Sequence, residues 1–198
     1  MTHVAHPYIQ RIGINRDWRS RWFTADPQKF REYLRTDAAI RKLLNQKLKG
    51  MSTDVVEIER DDKALRIIVK TARPGLVIGR SGEGAVQLKK DVDMLLRKLK
   101  LSEKPDIKID IEEIRSPETS AALVGQMIAE GLEKRMQFRR VLKMTVEKVM
   151  ANRDVEGVRI IVAGRLGGAD MARREELKKG RIPLQTLRAD IDFARVRA

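Results

Sequence analysis

Arg73-Pro74-Gly75-Leu76-Val77-Ile78-Gly79-Arg80-Ser81-Gly82-Glu83-Gly84 is the stretch whose reading decides how the first half of this chain folds. Pro74 has a fixed φ and no amide donor, so it suits the first position of a short helical turn carrying Leu76, Val77 and Ile78. Gly79 and Gly82 then bracket Arg80 and Ser81. Glycine lacks a Cβ, so the backbone can turn tightly and a phosphate can come close. Past the loop, Ala85, Leu88, Val92, Leu95 and Leu99 recur at helical spacing, which predicts an amphipathic helix from about Gly84 to Leu101. A helix starting there aims free amides and the positive end of its dipole at the loop.

Outward from this loop the pattern alternates. Upstream, Val56 and Ile58, then Leu65, Ile67 and Val69, share faces at a period of two and predict two strands joined by a turn at Arg60-Asp61-Asp62-Lys63. Before them Asp26 caps a helix with Pro27 at its first position, and Phe30, Leu34, Ile40, Leu43, Leu44 and Leu48 mark its apolar stripe. Gly50 ends it, after Lys47 and Lys49. Downstream, Pro105 breaks the long helix and Ile107, Ile109 and Ile111 alternate with Lys108, Asp110 and Glu112 in a third strand. Residues 26–115 thus read as one α+β domain. Four-residue GXXG loops in this setting clamp the nucleic-acid backbone in KH domains, which makes Gly79, Arg80, Ser81 and Gly82 candidate RNA-binding residues. Arg73 is a further candidate beside them.

Residues 116–198 read as a second α+β domain, two helices packed on a small sheet. Ser116-Pro117-Glu118 predicts a helix start, running to about Leu132 with Val124, Met127 and Ile128 on one side. A second helix spans about Met136 to Met150, and a strand spans Val158 to Ala163. A charged stretch, Met171 to Lys179, follows Gly164-Arg165-Leu166-Gly167-Gly168-Ala169-Asp170. Leu187, Ala189, Ile191 and Phe193 predict a last strand with Arg188, Asp190 and Asp192 outward. Residues 1–25 read as an irregular basic and aromatic segment. There Trp18, Trp22 and Phe23 are expected to plug the edge of the following core, while arginines such as Arg11 and Arg16 face RNA.

Composition narrows the partner. The 198 residues carry 42 Lys and Arg against 28 Asp and Glu, a formal net charge of +14. Self-repulsion of that size is best offset by a polyanion, and nucleic acid is the usual one. An anionic membrane is the weaker alternative, because the cations are spread over folded elements rather than gathered on one amphipathic anchor. With no cysteine there is no disulfide, thiolate zinc site or cysteine nucleophile. Nor does any long apolar run or signal-type segment occur.

Arg139, Arg140 and Lys143 span roughly 100° of a helix, on an arc apart from Phe138, Leu142, Thr145 and Val149. They read as an outward basic face. Gly164 to Asp170 fits neither a dinucleotide nor a P-loop spacing, so nucleotide chemistry is excluded. Its glycines read as sharp turns, and Arg165, Arg173, Lys178 and Arg181 as candidate RNA contacts, with Glu175 and Glu176 expected to pair internally with part of the cations beside them. His3 and His6 have no acids or cysteines nearby and make no metal site. No catalytic set can be assembled. The chain reads as no enzyme, with no cofactor, no metal and no small-molecule substrate.

His6-Pro7, TARPGLVIGRSGE (71–83), MQFRR (136–140), GRLGGADMAR (164–173) and GRIPLQTLRADIDF (180–193) together resemble the family of the third protein of the bacterial small ribosomal subunit. The likeness covers essentially the whole chain. It implies a type II KH domain followed by a second α+β domain, on the head of the small subunit in the cytoplasmic ribosome. It implies partners: small-subunit ribosomal RNA, mRNA at the channel by which it enters, and the tenth and fourteenth proteins of the subunit, reached by the N-terminal segment. By resemblance Arg139, Arg140 and Lys143 inherit the role of contacting incoming mRNA. A free KH-domain factor of ribosome assembly is the alternative. The family pattern continues past Phe193 into a further strand, whereas this sequence ends at Ala198: either a tail follows that is not part of this sequence, or the protein lacks it and the second sheet is short of an edge strand.

Overall fold

The computed structural model describes residues 6–61, 64–99 and 105–198. His3, the hairpin tip at Asp62-Lys63 and the expected helix end at Leu101 lie outside the described residues. The chain divides into two compact units. One is Trp18–Arg115; the other joins the N-terminal stretch up to Asp17 with Ser116–Ala198. The N-terminal segment is thus shared: a one-turn helix α1 (Pro7–Gln10) lies in the second unit and a two-residue strand β1 (Ser20–Arg21) in the first.

In the first unit α2 (Pro27–Lys47) starts as its sequence dictates, with Pro27 in the first turn and the Asp26 carboxylate accepting from the Gln28 amide at 2.8 Å. Strands β2 (Thr53–Arg60) and β3 (Ala64–Thr71) form an antiparallel hairpin. The short helix α3 (Pro74–Ile78), the GXXG turn and the long helix α4 (Glu83–Leu99) follow, and then β4 (Asp106–Glu113). The sheet order is β1-β2-β3-β4, with β3 and β4 parallel. Parallel neighbours need a crossover, and α3 and α4 supply it. This topology suspends the GXXG turn between two helices.

Alternation along the strands builds the core. Val56, Ile58, Leu65, Ile67, Val69 and Ile107 pack against Ile40 and Leu44 of α2, Leu48 just past its end, and Leu88, Val92 and Leu96 of α4. Each such side chain contributes about 1.5–3 kcal/mol by leaving water. The opposite sheet face is ionic. Arg21 reaches Glu57 at 2.8 Å and Glu59 at 2.7 Å, Lys70 reaches Glu57 at 2.7 Å, and Arg66 pairs with Glu59 and Asp110. On this face Arg21, Arg66 and Lys70 are thus each paired with carboxylates of the same sheet.

One expected plug holds and two do not. Trp22 donates its indole N–H to the buried Asp37 carboxylate at 2.8 Å and meets Phe30 and Tyr33 edge-on. Phe23 is 91% exposed, and Trp18 is exposed as well. Successive residues of an extended chain face opposite ways, so turning Trp22 toward α2 turns Phe23 out. Phe30 and Leu34, expected in the core stripe, are also exposed: the first turns of α2 meet Trp22 rather than the sheet.

In the second unit α5 (Ala121–Glu133) and α6 (Phe138–Met150) pack on an antiparallel hairpin of β5 (Gly157–Gly164) and β6 (Arg173–Gly180). Val124, Ile128, Phe138, Val141, Leu142, Val146, Val149, Ile160 and Leu166 form its core. Three expectations change here. Ser116-Pro117 opens only a 3-10 turn; the cap of α5 is Ser120, whose hydroxyl accepts from the Leu123 amide at 3.3 Å. The charged stretch after Met171 is a strand, β6, and it lacks apolar alternation because nearly all of it is exposed, with only Glu175 and Leu177 half-buried. The expected strand at Leu187–Phe193 is irregular. Arg11, from the chain's other end, claims the Ala189 carbonyl, and Asp192 turns in to accept from the Ala121 amide at 2.7 Å.

Candidate nucleic-acid interface

The GXXG turn follows from three left-handed residues. Gly79, Ser81 and Gly82 have φ of 72°, 50° and 81°. Gly79 closes α3 by donating its amide to the Gly75 carbonyl at 3.0 Å, and Arg80, Ser81 and Gly82 form a 3-10 turn into α4. Gly79, Arg80 and Ser81 are exposed. Beside them lies an open hollow of about 550 Å³ lined by Ser81, Glu83, Gly84, Val86, Gln87 and Lys90. Leu76, Ile78, Val86 and Met94 leave apolar surface exposed on the same helices. Chemically this is a bare backbone turn for a sugar-phosphate chain, with Arg80 and Lys90 as charges and apolar surface for bases. Glu83 opposes part of that charge.

The basic arc of α6 is built by its opposite side. Phe138, Val141, Leu142, Val146 and Val149 are buried, which fixes the helix and turns Arg140 and Lys143 into solvent. Neither has a partner among the described residues. Arg139 differs: it pairs with Glu175 of β6 at 3.2 Å, and its guanidinium lies 5.5 Å from the Phe138 ring centroid. The sequence places these three cations as equals; the structure does not.

The remaining candidates separate sharply. Arg73, Arg173, Lys178 and Arg181 are exposed. Arg165 is exposed too, and donates to the Ala169 carbonyl at 2.9 Å. Arg16 is largely engaged within the chain: it pairs with Asp190 at 2.8 Å and lies over the Tyr8 ring. Arg11 is a correction. It is fully buried, and its guanidinium donates to the carbonyls of Pro7, Pro183, Leu184, Thr186 and Ala189 at 2.7–3.5 Å. No surface remains with which to touch RNA. It is a clasp that fastens the C-terminal tail to α1.

On the outer face of the hairpin Arg159 holds Glu176 at 2.8 Å. Hydrogen bonding from Arg159 keeps the Glu176 carboxyl below the usual carboxylate range. In the first unit burial pushes Glu57 up, but hydrogen bonds from Lys70 and Arg21 outweigh it and leave the carboxyl lowered. Among the described residues no cluster of His, Asp and Glu is set to hold a metal, and no helix is long and apolar enough to cross a membrane.

Family comparison fits both halves of this architecture. Residues 39–119 match the KH domain model and residues 128–198 match the model of the ribosomal protein S3 C-terminal domain. Across 98% of the chain it is 45% identical to small ribosomal subunit protein uS3 of Caldicellulosiruptor bescii, covering 83% of that protein. For uS3 of Hydrogenovibrio crunogenus the values are 44%, 98% and 81%, and for uS3 of Coxiella burnetii 41%, 98% and 82%. The chain belongs to the ribosomal protein S3 family. Membership makes it an RNA-binding, non-enzymatic constituent of the small ribosomal subunit. The α+β reading, a KH domain followed by the S3 C-terminal domain, stands.

Within this S3-family chain, sequence reasoning missed Gly84 and Lys90. A Cβ on Gly84 would sit 2.4 Å from the Val77 carbonyl oxygen, so this glycine, outside the GXXG signature, lets α4 close on α3. Lys90 stands two helical turns after Glu83 and lines the same hollow, a signal that helical spacing could have given. Glu175 does form an ion pair, but with Arg139, 36 residues away, rather than with the cations beside it.

Proposed function

We propose that this protein sits in the head of the small subunit of the cytoplasmic ribosome, binds small-subunit rRNA, and presents α6 to mRNA at the entrance channel. Arg140 and Lys143 carry this reading: two exposed cations without partners among the described residues, on a helix whose other side is locked into a core. With Arg139 they act as electrostatic contacts to a moving strand, and no bond is made or broken. The GXXG turn at Gly79–Gly82 is a second grip on a sugar-phosphate backbone. Arg73, Arg165, Arg173, Lys178 and Arg181 remain available for rRNA. The N-terminal segment meets the tenth and fourteenth proteins of the subunit; Ile9 and Ile14, 64% and 54% exposed, offer apolar contact for them.

The test is replacement of Arg139, Arg140 and Lys143 by Ala. Subunits should still assemble, and translation through a stable mRNA hairpin should slow. The slope of log affinity against log salt for single-stranded RNA should flatten by about 0.7 for each phosphate no longer neutralised. Unchanged passage through the hairpin refutes the mRNA role. A free assembly factor, by comparison, should be absent from salt-washed mature subunits.

A further inference from the structure

We propose that β6 completes the RNA-facing set of α6, with Arg173 as its fourth cation and Glu175 as a positioning residue that restrains Arg139. The inference rests on the reading of α6 as an mRNA contact and deepens it. Along β6, Arg173, Glu175 and Leu177 share the face turned to α6, since Leu177 packs in the core while Arg174, Glu176 and Lys178 alternate outward. Across the hairpin, Arg173 stands opposite Gly164, which has no side chain to compete with it. Its guanidinium carbon lies 5.4 Å from the Phe138 ring centroid, and that of Arg139 lies 5.5 Å from the same ring. One buried aromatic thus stations two arginines from different elements.

Holding two like charges at one ring needs compensation. The ring quadrupole supplies part of it. Glu175 supplies the rest, at 3.2 Å from Arg139. Arg173 rests on the Phe138 ring but has no carboxylate partner among the described residues, so no anion of the chain competes with a phosphate for it. Arg139 is not: a phosphate must displace Glu175 or share the guanidinium with it. The consequence is a moderated grip. A strand that must slide cannot be held by every cation at full strength, and Glu175 takes one of four partly out of play.

The experiment measures binding of a short uridine homopolymer to the full chain by fluorescence anisotropy across a salt series. Arg80→Asp and Ser81→Asp are present throughout to silence the GXXG turn. Arg173→Ala should weaken binding several-fold and flatten the salt slope by about 0.7. Glu175→Gln keeps the shape and removes the charge. It should tighten binding about two- to five-fold, the range of one exposed ion pair, and steepen the slope. In an Arg139→Ala background that gain should vanish, which separates restraint of Arg139 from a general loss of negative charge. Glu175→Asp should restore the wild-type slope. An unchanged or weaker Glu175→Gln protein, a gain that persists without Arg139, or an indifferent Arg173→Ala protein each overturns the proposal. If Arg140→Ala and Lys143→Ala are also without effect, the reading of α6 itself falls; if they act while β6 variants do not, only this inference does.

Discussion

Replacing Arg11 by Met keeps the length of the side chain and removes its charge and all its donors. In the structure that guanidinium bonds five carbonyls, four of them in the tail between Pro183 and Ala189. Hydrogen bonds from a charged donor are worth about 1.5–3 kcal/mol each, but they are not additive, and burying the guanidinium costs several kcal/mol in return. Each carbonyl left without its donor costs about 1–3 kcal/mol, and with relaxation and hydration offsetting part of the sum the net loss is about 3–5 kcal/mol. Small proteins lose about 2 kcal/mol per molar urea, so the unfolding midpoint should fall by about 1.5–2.5 M. Two probes make the assay specific. Trp18 and Trp22 both belong to the unit Trp18–Arg115, so tryptophan fluorescence follows that unit, while far-UV circular dichroism follows both. Arg11→Met should move the transition seen by dichroism and leave the fluorescence transition in place. The clasp is refuted if the midpoint moves by less than about 0.5 M, or if the variant instead flattens the salt slope of RNA binding at unchanged stability. That second result would return Arg11 to the RNA surface.

Three further outcomes are expected. Ser120→Ala should cost about 1 kcal/mol through loss of the α5 cap, whereas Ser116→Ala should change little; urea midpoints by dichroism decide between them. Gly84→Ala should destabilise the first unit by about 1–3 kcal/mol, because its Cβ meets the Val77 carbonyl at a distance no methyl tolerates, and fluorescence-detected unfolding reads it directly. Glu57→Gln tests the ionic sheet face. The lowered Glu57 carboxyl contributes stability above its unfolded pKa and loses it as pH falls through the folded value. The variant should therefore be less stable than wild type at pH 7, with the gap closing below about pH 4; a gap that stays constant with pH contradicts the pairing with Lys70 and Arg21.

How much is legible in the sequence depends on the distance over which each fact is encoded. The α2 cap at Asp26-Pro27, the β2–β3 hairpin and the crossover through α3 and α4 are all set by residues a few positions apart, and they are readable. The exposed Arg140 and Lys143 follow from the periodicity of the apolar residues that face the other way. Ser120 outcompetes Ser116 as a cap because Asp192, far along the chain, sits at the same helix start. β6 escapes a reading by pattern because an exposed ribbon needs no apolar alternation.

By itself, then, the sequence determined the kinds of element, the GXXG turn, the polyanion partner implied by the charge, and the family. These are written in local spacing and in composition, which survive without knowing who meets whom. The tertiary structure alone decided which arginines are working surface and which are framework. Arg11 and Arg140 are the same side chain in the same basic protein. One is enclosed mainly by carbonyls more than 170 residues away and the other is left in water, and the free energy of a guanidinium is set by that enclosure rather than by its neighbours in sequence.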